Sequence, residues 1–279
     1  MIKQNPNSTL GAYLIFLFRS LRILYGYKHR LVDAVLLDVH QQYTGSILGA
    51  FWAFLFPLLQ LSIFAGLYTM IFKVRPAGLT EWEYVLLVFS GLVPLMAFSS
   101  MLSSAAGSLI ANKNLLLNTV FPAELIPLRS ALAAQVPSMA GLGITLLLGV
   151  ALGRVGWNVF LLVPLLWCLL MMFAIGLGWV LSLITLVAKD IQHFLGLILM
   201  LMTVLSPFAY TPEMVPNALK LILYLNPLSY FVLAFQQVIA YGTWPDFMLA
   251  LSAFSLGVGG FLVGYALFLK IKFVFFDYA

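Results

Sequence analysis

PEMVPNALKLILYLNPLSYFVLAFQQVIAYGTWP, residues 212–245, decides how many times this chain crosses a bilayer. Its charge-free part, 221–245, is long enough to span, because about 20 residues cover about 30 Å of hydrocarbon. Yet Pro212, Pro216, the Asn226-Pro227 pair, Gln236-Gln237 and Gly242 offer helix stops all along it. Backbone that leaves the helix at membrane depth must be surrounded by protein or a water-filled cavity. The stretch therefore reads as two short helices that dip into the membrane and return, joined near Asn226-Pro227.

The rest of the chain is hydrocarbon-like. Of 279 residues 63% are hydrophobic and 8% charged, with a mean hydropathy of +1.06, where soluble domains carry roughly 25% charge. Six further charge-free windows, 39–72, 84–112, 130–153, 155–188, 191–212 and 247–269, predict helices over about 46–72, 84–110, 128–152, 158–187, 192–210 and 246–270. The expectation is an all-α integral membrane protein with six transmembrane helices and a re-entrant helix pair between spans five and six.

Charge bias tests that count. With six spans and the N-terminus inside, Lys3, Arg19, Arg22, Lys28, Arg30, Lys113, Arg129, Lys189, Lys270 and Lys272 are cytoplasmic, against Lys73, Arg75, Arg154 and Lys220 outside. Ten to four obeys the positive-inside rule. A seventh full span would move Lys270 and Lys272 outside and reduce the bias to eight against six. Because the basic residues flank spans, they form no patch for nucleic acid.

Before the first span, YKHRLVDAVLLDVHQQ (27–42) places Leu31, Val32, Val35, Leu36 and Val39 at helical spacing, with Lys28, His29, Arg30, Asp33, His40 and Gln41 mostly elsewhere. This predicts an amphipathic helix in the membrane surface. The organisation is then a cytoplasmic tail and interface helix over 1–45, a transmembrane domain over 46–270, and a short cytoplasmic tail over 271–279. No signal peptide is read, since Asn5, Pro6, Asn7, Ser8 and Thr9 interrupt any early apolar run. Cys168, alone in mid-span, forms no intrachain disulfide and reads as a small buried apolar residue.

Catalytic chemistry is not evident. Asp33, Asp38, Glu81, Glu83, Glu124, Asp190, Glu213, Asp246 and Asp277 all fall at span ends or in loops, and no span core holds a charge. Proton-coupled and voltage-driven proteins keep such groups inside the membrane, so their absence argues for energy supplied from elsewhere. His29, His40 and His193 lack metal-ligand spacing. There is no GxxxxGK[ST] phosphate loop, so ATP hydrolysis by that route belongs to another chain. What is present is patterning: Gly45 and Gly49 read as a small-xxx-small pair for close helix approach, with Trp52 and Phe56 continuing their face.

Four motifs carry a resemblance across most of the chain: QYTGSILGAFWAFLFPLL (42–59), ANKNLLLNTVFPAELIPL (111–128), AKDIQHFLGLILMLMTVLSPFAY (188–210) and LNPLSYFVLAFQQVI (225–239). Together they resemble the permease subunit of type 2 ABC exporters, and within them the exporters of lipid-linked O-antigen polysaccharide. The resemblance implies a homodimer around a channel, bound to two copies of an ABC ATPase that holds the ATP and Mg, with no cofactor or metal in this chain and no enzymatic site of its own. It places the chain in the bacterial inner membrane, both termini cytoplasmic and the re-entrant pair periplasmic.

The compact stretch NTVFPAELIPL (118–128), with its two prolines, then belongs to a coupling segment (111–127). The coupling helix is expected over roughly 112–120, ended by Phe121-Pro122, with Pro127 starting the third span. Asn112, Lys113, Asn114, Leu115, Leu116, Asn118, Phe121 and Pro122, with Lys189 and Asp190 of the next cytoplasmic turn, would meet the ATPase. Tyr43, Trp52 and Phe56 would meet the polysaccharide from inside, and Tyr210, Tyr224 and Tyr230 at the exit. Arg19, Arg22, Lys28 and Arg30 would attract lipid headgroups or the pyrophosphate of an undecaprenyl carrier. Two departures from the family pattern bear on cargo: Gln42 and Thr44 flank Tyr43 where a basic residue is common, and Gln236 and Gln237 replace a frequent arginine. Both are candidate contacts to phosphate or sugar. Alternative cargoes are teichoic acid, capsular polysaccharide or another lipid-linked substrate; a lipid-sugar enzyme and a passive channel are the remaining rivals.

Overall fold

A computed structural model describes residues 25–72, 78–113, 122–217 and 220–276, and among these every regular element is helical. The order is α1 (Lys28–Tyr43), α2 (Trp52–Gly66), α3 (Glu81–Ala111), α4 (Leu125–Ala134), α5 (Val136–Ala151), α6 (Trp157–Val187), α7 (Asp190–Leu205), α8 (Lys220–Leu225), α9 (Pro227–Ile239) and α10 (Phe247–Phe276). With no water to satisfy backbone groups inside hydrocarbon, such apolar windows close their own i to i−4 bonds.

Five helical stretches among the described residues are long and apolar enough to cross a membrane: Gly49–Ile71, Glu81–Ala111, Leu125–Ala151, Trp157–Val187 and Phe247–Lys272. The expected span over 192–210 is shorter than predicted. Helix α7 stops at Leu205, giving 16 residues or about 24 Å, because Pro207 cannot continue it. The expected third span is one rod in two pieces, jointed at Gln135, where Pro137 withholds its N–H from the turn below. The rod begins at Leu125, with Pro127 inside its first turn. Helix α10 runs on to Phe276, so the first residues of the expected C-terminal tail are helical.

Helix α3 is the hub, buried along most of its length and packed on α4, α5, α6 and α9. A capping box starts it: the Thr80 N–H and hydroxyl donate to Glu83 Oε2 at 2.8 and 2.9 Å, while the Glu83 N–H returns to Thr80 Oγ1. Glu83 also pairs with Arg154, between α5 and α6. At the opposite end Lys272 of α10 pairs with Glu124, just before α4. That pair sets the C-terminal end of α10 beside the start of the α4–α5 rod.

The closest helix contact joins α6 to α10. A Cβ added at Gly176 would sit on the Gly260 carbonyl, and one at Gly264 on the Gly176 carbonyl; at Gly257 it would lie 2.8 Å from the Leu169 carbonyl oxygen. Small residues allow this approach. The pair read for this role from sequence does something else. Gly45 and Gly49 sit between α1 and α2 with φ of +82° and +51° and nothing within 4 Å of an added Cβ. They turn the chain from the interface helix into the first span, in a backbone region that other residues enter at a cost.

Helices α8 and α9 meet at Asn226-Pro227, as the sequence predicts. Asn226 caps α9 by accepting from the Leu228 N–H at 3.0 Å, and donates to the Met202 carbonyl and Ser206 Oγ at 3.1 and 2.8 Å. Phe231 stacks on Phe173 and Phe235 meets Trp167 edge-on, so α9 runs antiparallel to α6 from its middle. With 13 residues, α9 covers only about 20 Å.

Gln236 is a structural pin and makes no outward contact. It is 3% exposed, and its Nε2 donates toward the carbonyls of Leu87 (3.3 Å), Pro207 and Phe208 (3.1 Å each). This overturns the reading of Gln236 as a cargo contact. Gln237 closes the turn into α10, its amide donating to Asp246 Oδ2 and accepting from the Asp246 N–H, both at 2.8 Å. Gln236→Leu should cost about 1–3 kcal/mol by stranding buried carbonyls, read as a lowered unfolding midpoint in detergent; an unchanged midpoint would remove the pin.

Cys168 departs from its expected burial. It is exposed on the outward face of α6, because the inward stripe of that helix is filled by Leu166, Trp167, Leu169 and Leu170.

Candidate functional site

The i, i+4 repeat of Trp52, Phe56, Gln60 and Phe64 puts these four side chains on one stripe of α2, above Pro57. That stripe forms one wall of a cavity of about 1260 Å³. Tyr43, at the end of α1, lines it together with Asp38, Gln41 and Gln42. Trp52 and Phe56 are 39% and 57% exposed, so their faces are free for a ligand. The three inner channel residues read from sequence are thus brought to a single space.

The facing wall was not anticipated. Ser99, Ser100, Ser103 and Ser104 line it from α3, Ser130 from α4, Ser138 from α5 and Thr203 from α7. The signal was present in FSSMLSS (98–104), whose paired serines recur one turn apart inside a charge-free window. Ser104 Oγ donates to the Ser130 carbonyl at 3.0 Å, tying α3 to α4. Ser100 and Thr203 donate to the carbonyls of Ala97 and Leu199 at 3.0 and 2.8 Å. Among the described residues no lysine or arginine lines the space.

The outer tyrosines lie elsewhere. Tyr210 Oη donates to the Leu205 carbonyl at 2.8 Å, bracing the break after α7. Tyr230 Oη donates to the Tyr224 carbonyl at 2.9 Å, across the α8–α9 joint. The Tyr224 ring is exposed. None of the three lines the cavity.

At the end where α1 lies, polar contacts gather at the described ends of the 111–127 stretch. Arg129 Nη2 donates to Asn112 Oδ1 at 2.7 Å, and Arg129 Nε faces Asp38 Oδ2 at 3.4 Å. One guanidinium therefore joins α1, the C-cap of α3 and α4. The Trp179 indole N–H donates to the Glu124 carbonyl at 2.8 Å, beside the Lys272 pair. The described ends of the stretch are thereby tied to α1 and α3 through Arg129 and to α6 and α10 through Glu124. Within 111–127 the described residues run to Lys113 and resume at Pro122. Asn114, Leu115, Leu116, Asn118 and Phe121 lie outside the described residues. Lys189 and Asp190 start α7, both exposed.

Helix α1 packs on α4. Leu31, Val35 and Val39 of its predicted apolar face are half-buried there, while Val32 and Leu36 stay exposed with Leu37. Lys28 and Arg30 lie over the Tyr25 and Tyr27 rings at 4.5 and 5.5 Å. Arg19 and Arg22 fall outside the described residues. Thr44 Oγ1 donates to the His40 carbonyl at 2.7 Å, whereas Gln42 reaches the cavity.

Residues 35–240 match the family described as ABC-2 type transporter. Over 244 residues the chain is 27% identical to the O-antigen export system permease protein RfbA of Myxococcus xanthus, covering 86% of this chain and 92% of that protein. Two proteins of the same name from Klebsiella pneumoniae are 25% and 26% identical, each covering 85% of this chain and 90% of its relative.

Proposed function

This chain belongs to the ABC-2 type transporter family, and from that premise we propose that it is the channel-forming permease of an O-antigen exporter. ABC-2 permeases are transport components without catalytic sites, so the energy source is a separate ATPase. The cargo is an undecaprenyl-pyrophosphate-linked polysaccharide, moved across the bacterial inner membrane by a homodimer of this chain with two ATPase subunits that hold ATP and Mg. The observation that carries the reading is the convergence of Tyr43, Trp52 and Phe56 on one cavity beside the tied ends of the 111–127 stretch.

Six crossings complete the topology, with α7 as the short fifth span and α8–α9 as the periplasmic re-entrant pair. The Lys272–Glu124 pair supports an even count, since it sets the end of α10 on the face where the α4–α5 rod begins. Both termini are then cytoplasmic. Lys28 and Arg30, with Arg19 and Arg22, draw anionic headgroups or the carrier's pyrophosphate to the interface helix.

ATP-driven closure of the ATPases would push the coupling segment, and Arg129 would carry that push to α1 at the cavity end. The test is co-purification with the ATPase encoded nearby, before and after Asn114→Arg and Leu116→Glu. The expected result is a stable complex whose binding or substrate-stimulated ATPase falls at least about tenfold, which is 1.4 kcal/mol of coupling. A complex indifferent to both changes would defeat the coupling assignment, and no ATPase partner would defeat the exporter reading.

A further inference from the structure

Two features of the cavity wall bear on the charge of what passes through it. The first is the lack of uncompensated charge. Among the described residues Asp38 is the one ionisable acid or base on the lining, tyrosine aside, and it faces Arg129 at 3.4 Å. A second copy of the chain would add no charge from its span cores, because they contain none.

The second is that part of the hydroxyl lining has its protons already committed to the protein. Ser100, Ser104 and Thr203 direct their hydroxyl protons at backbone carbonyls, so toward the cavity their oxygens act as acceptors. Gln60 Oε1 is shielded from solvent with no hydrogen-bond donor among the described residues. Sugar hydroxyls can donate to such oxygens while ring C–H faces lie on Trp52 and Phe56. A carboxylate or phosphate also needs a compensating cation, and burying one without it is costly.

We propose that this cavity takes an uncharged, hydroxyl-rich oligosaccharide and rejects one whose repeat carries carboxylate or phosphate. The proposal rests on the exporter reading for its biological setting, and it separates the candidate cargoes. A neutral O-polysaccharide fits the wall; teichoic acid and acidic capsule do not. The carrier's pyrophosphate is a separate matter, since basic residues stand at the interface helix and none of the described ones lines the cavity.

The full-length chain in phosphatidylcholine nanodiscs would be titrated with a radiolabelled neutral mannohexaose and with hexagalacturonate of equal length. The expected result is binding of the neutral hexaose about tenfold or more tighter than the acidic one, with Ser103→Lys narrowing or reversing that ratio. Ser99→Lys serves as a second variant should the first fail to fold. Equal binding of the two probes, or tighter binding of hexagalacturonate, would overturn the selectivity. Binding of neither would overturn the cavity as a glycan site. The exporter reading is judged separately, by whether cells lacking the chain lose surface polysaccharide.

Discussion

Gly264→Leu is expected to leave little folded protein. The α6–α10 contact is the most extensive between any two helices, and at its centre the Gly176 and Gly264 backbones touch with no room for a Cβ. A leucine there must drive the helices apart along a seam that also holds Trp179 against Phe261 and Tyr265, at 5.1 and 4.8 Å between ring centroids. The loss should be on the order of 3 kcal/mol, at the upper end of ordinary overpacking, because backbone cannot move aside as a side chain can. The control is Gly259→Leu in the same helix, where an added Cβ meets nothing within 4 Å. Monodisperse yield and thermal midpoint in detergent measure both. Equal behaviour of the two variants would remove the glycine seam as a determinant of the fold.

The double change Trp52→Ala and Phe56→Ala should lower polysaccharide export by about tenfold or more while leaving assembly intact. Each ring offers one face to the cavity, and losing a stacked contact of this kind removes roughly 0.5–1.5 kcal/mol. Neither residue belongs to the buried core, so folding should be spared. Phe160→Ala provides the contrast, since that ring is exposed on α6 away from the cavity. Surface polysaccharide compared by electrophoresis, with permease amount measured in the same membranes, reads the effect. Unchanged export in the double variant would defeat the assignment of Trp52 and Phe56 as a channel wall.

Much of this protein is determined by sequence alone, because in a membrane chain the dominant energies are local. Charge-free windows mark the long helices, since a buried charge is costly wherever it falls. Asn226-Pro227 marks the α8–α9 joint, since proline closes off helix propagation in any setting. Spacing puts Trp52 and Phe56 on one stripe by helical geometry. The proline-bracketed stretch 118–128 stands out between two apolar runs, although residues 114–121 lie outside the described structure.

Tertiary structure decides whatever depends on which faces meet. Gly45 and Gly49 have the spacing of a packing motif, yet the chain uses their positive φ to turn, and packing falls to Gly176, Gly260 and Gly264. Spacing is the same in both cases; only a partner helix distinguishes them. Gln236 looks like a cargo ligand until three carbonyls converge on it from α3 and the chain after α7. Tyr43, the α3 serines and Thr203 are far apart in sequence, and they line one space because α2, α3 and α7 leave a gap between them. Arg129 reads as one more positive charge on the inside count until Asp38 and Asn112 arrive from separate helices. Local physics fixes what each segment forms; the geometry of contact, which no single segment contains, fixes what each side chain is for.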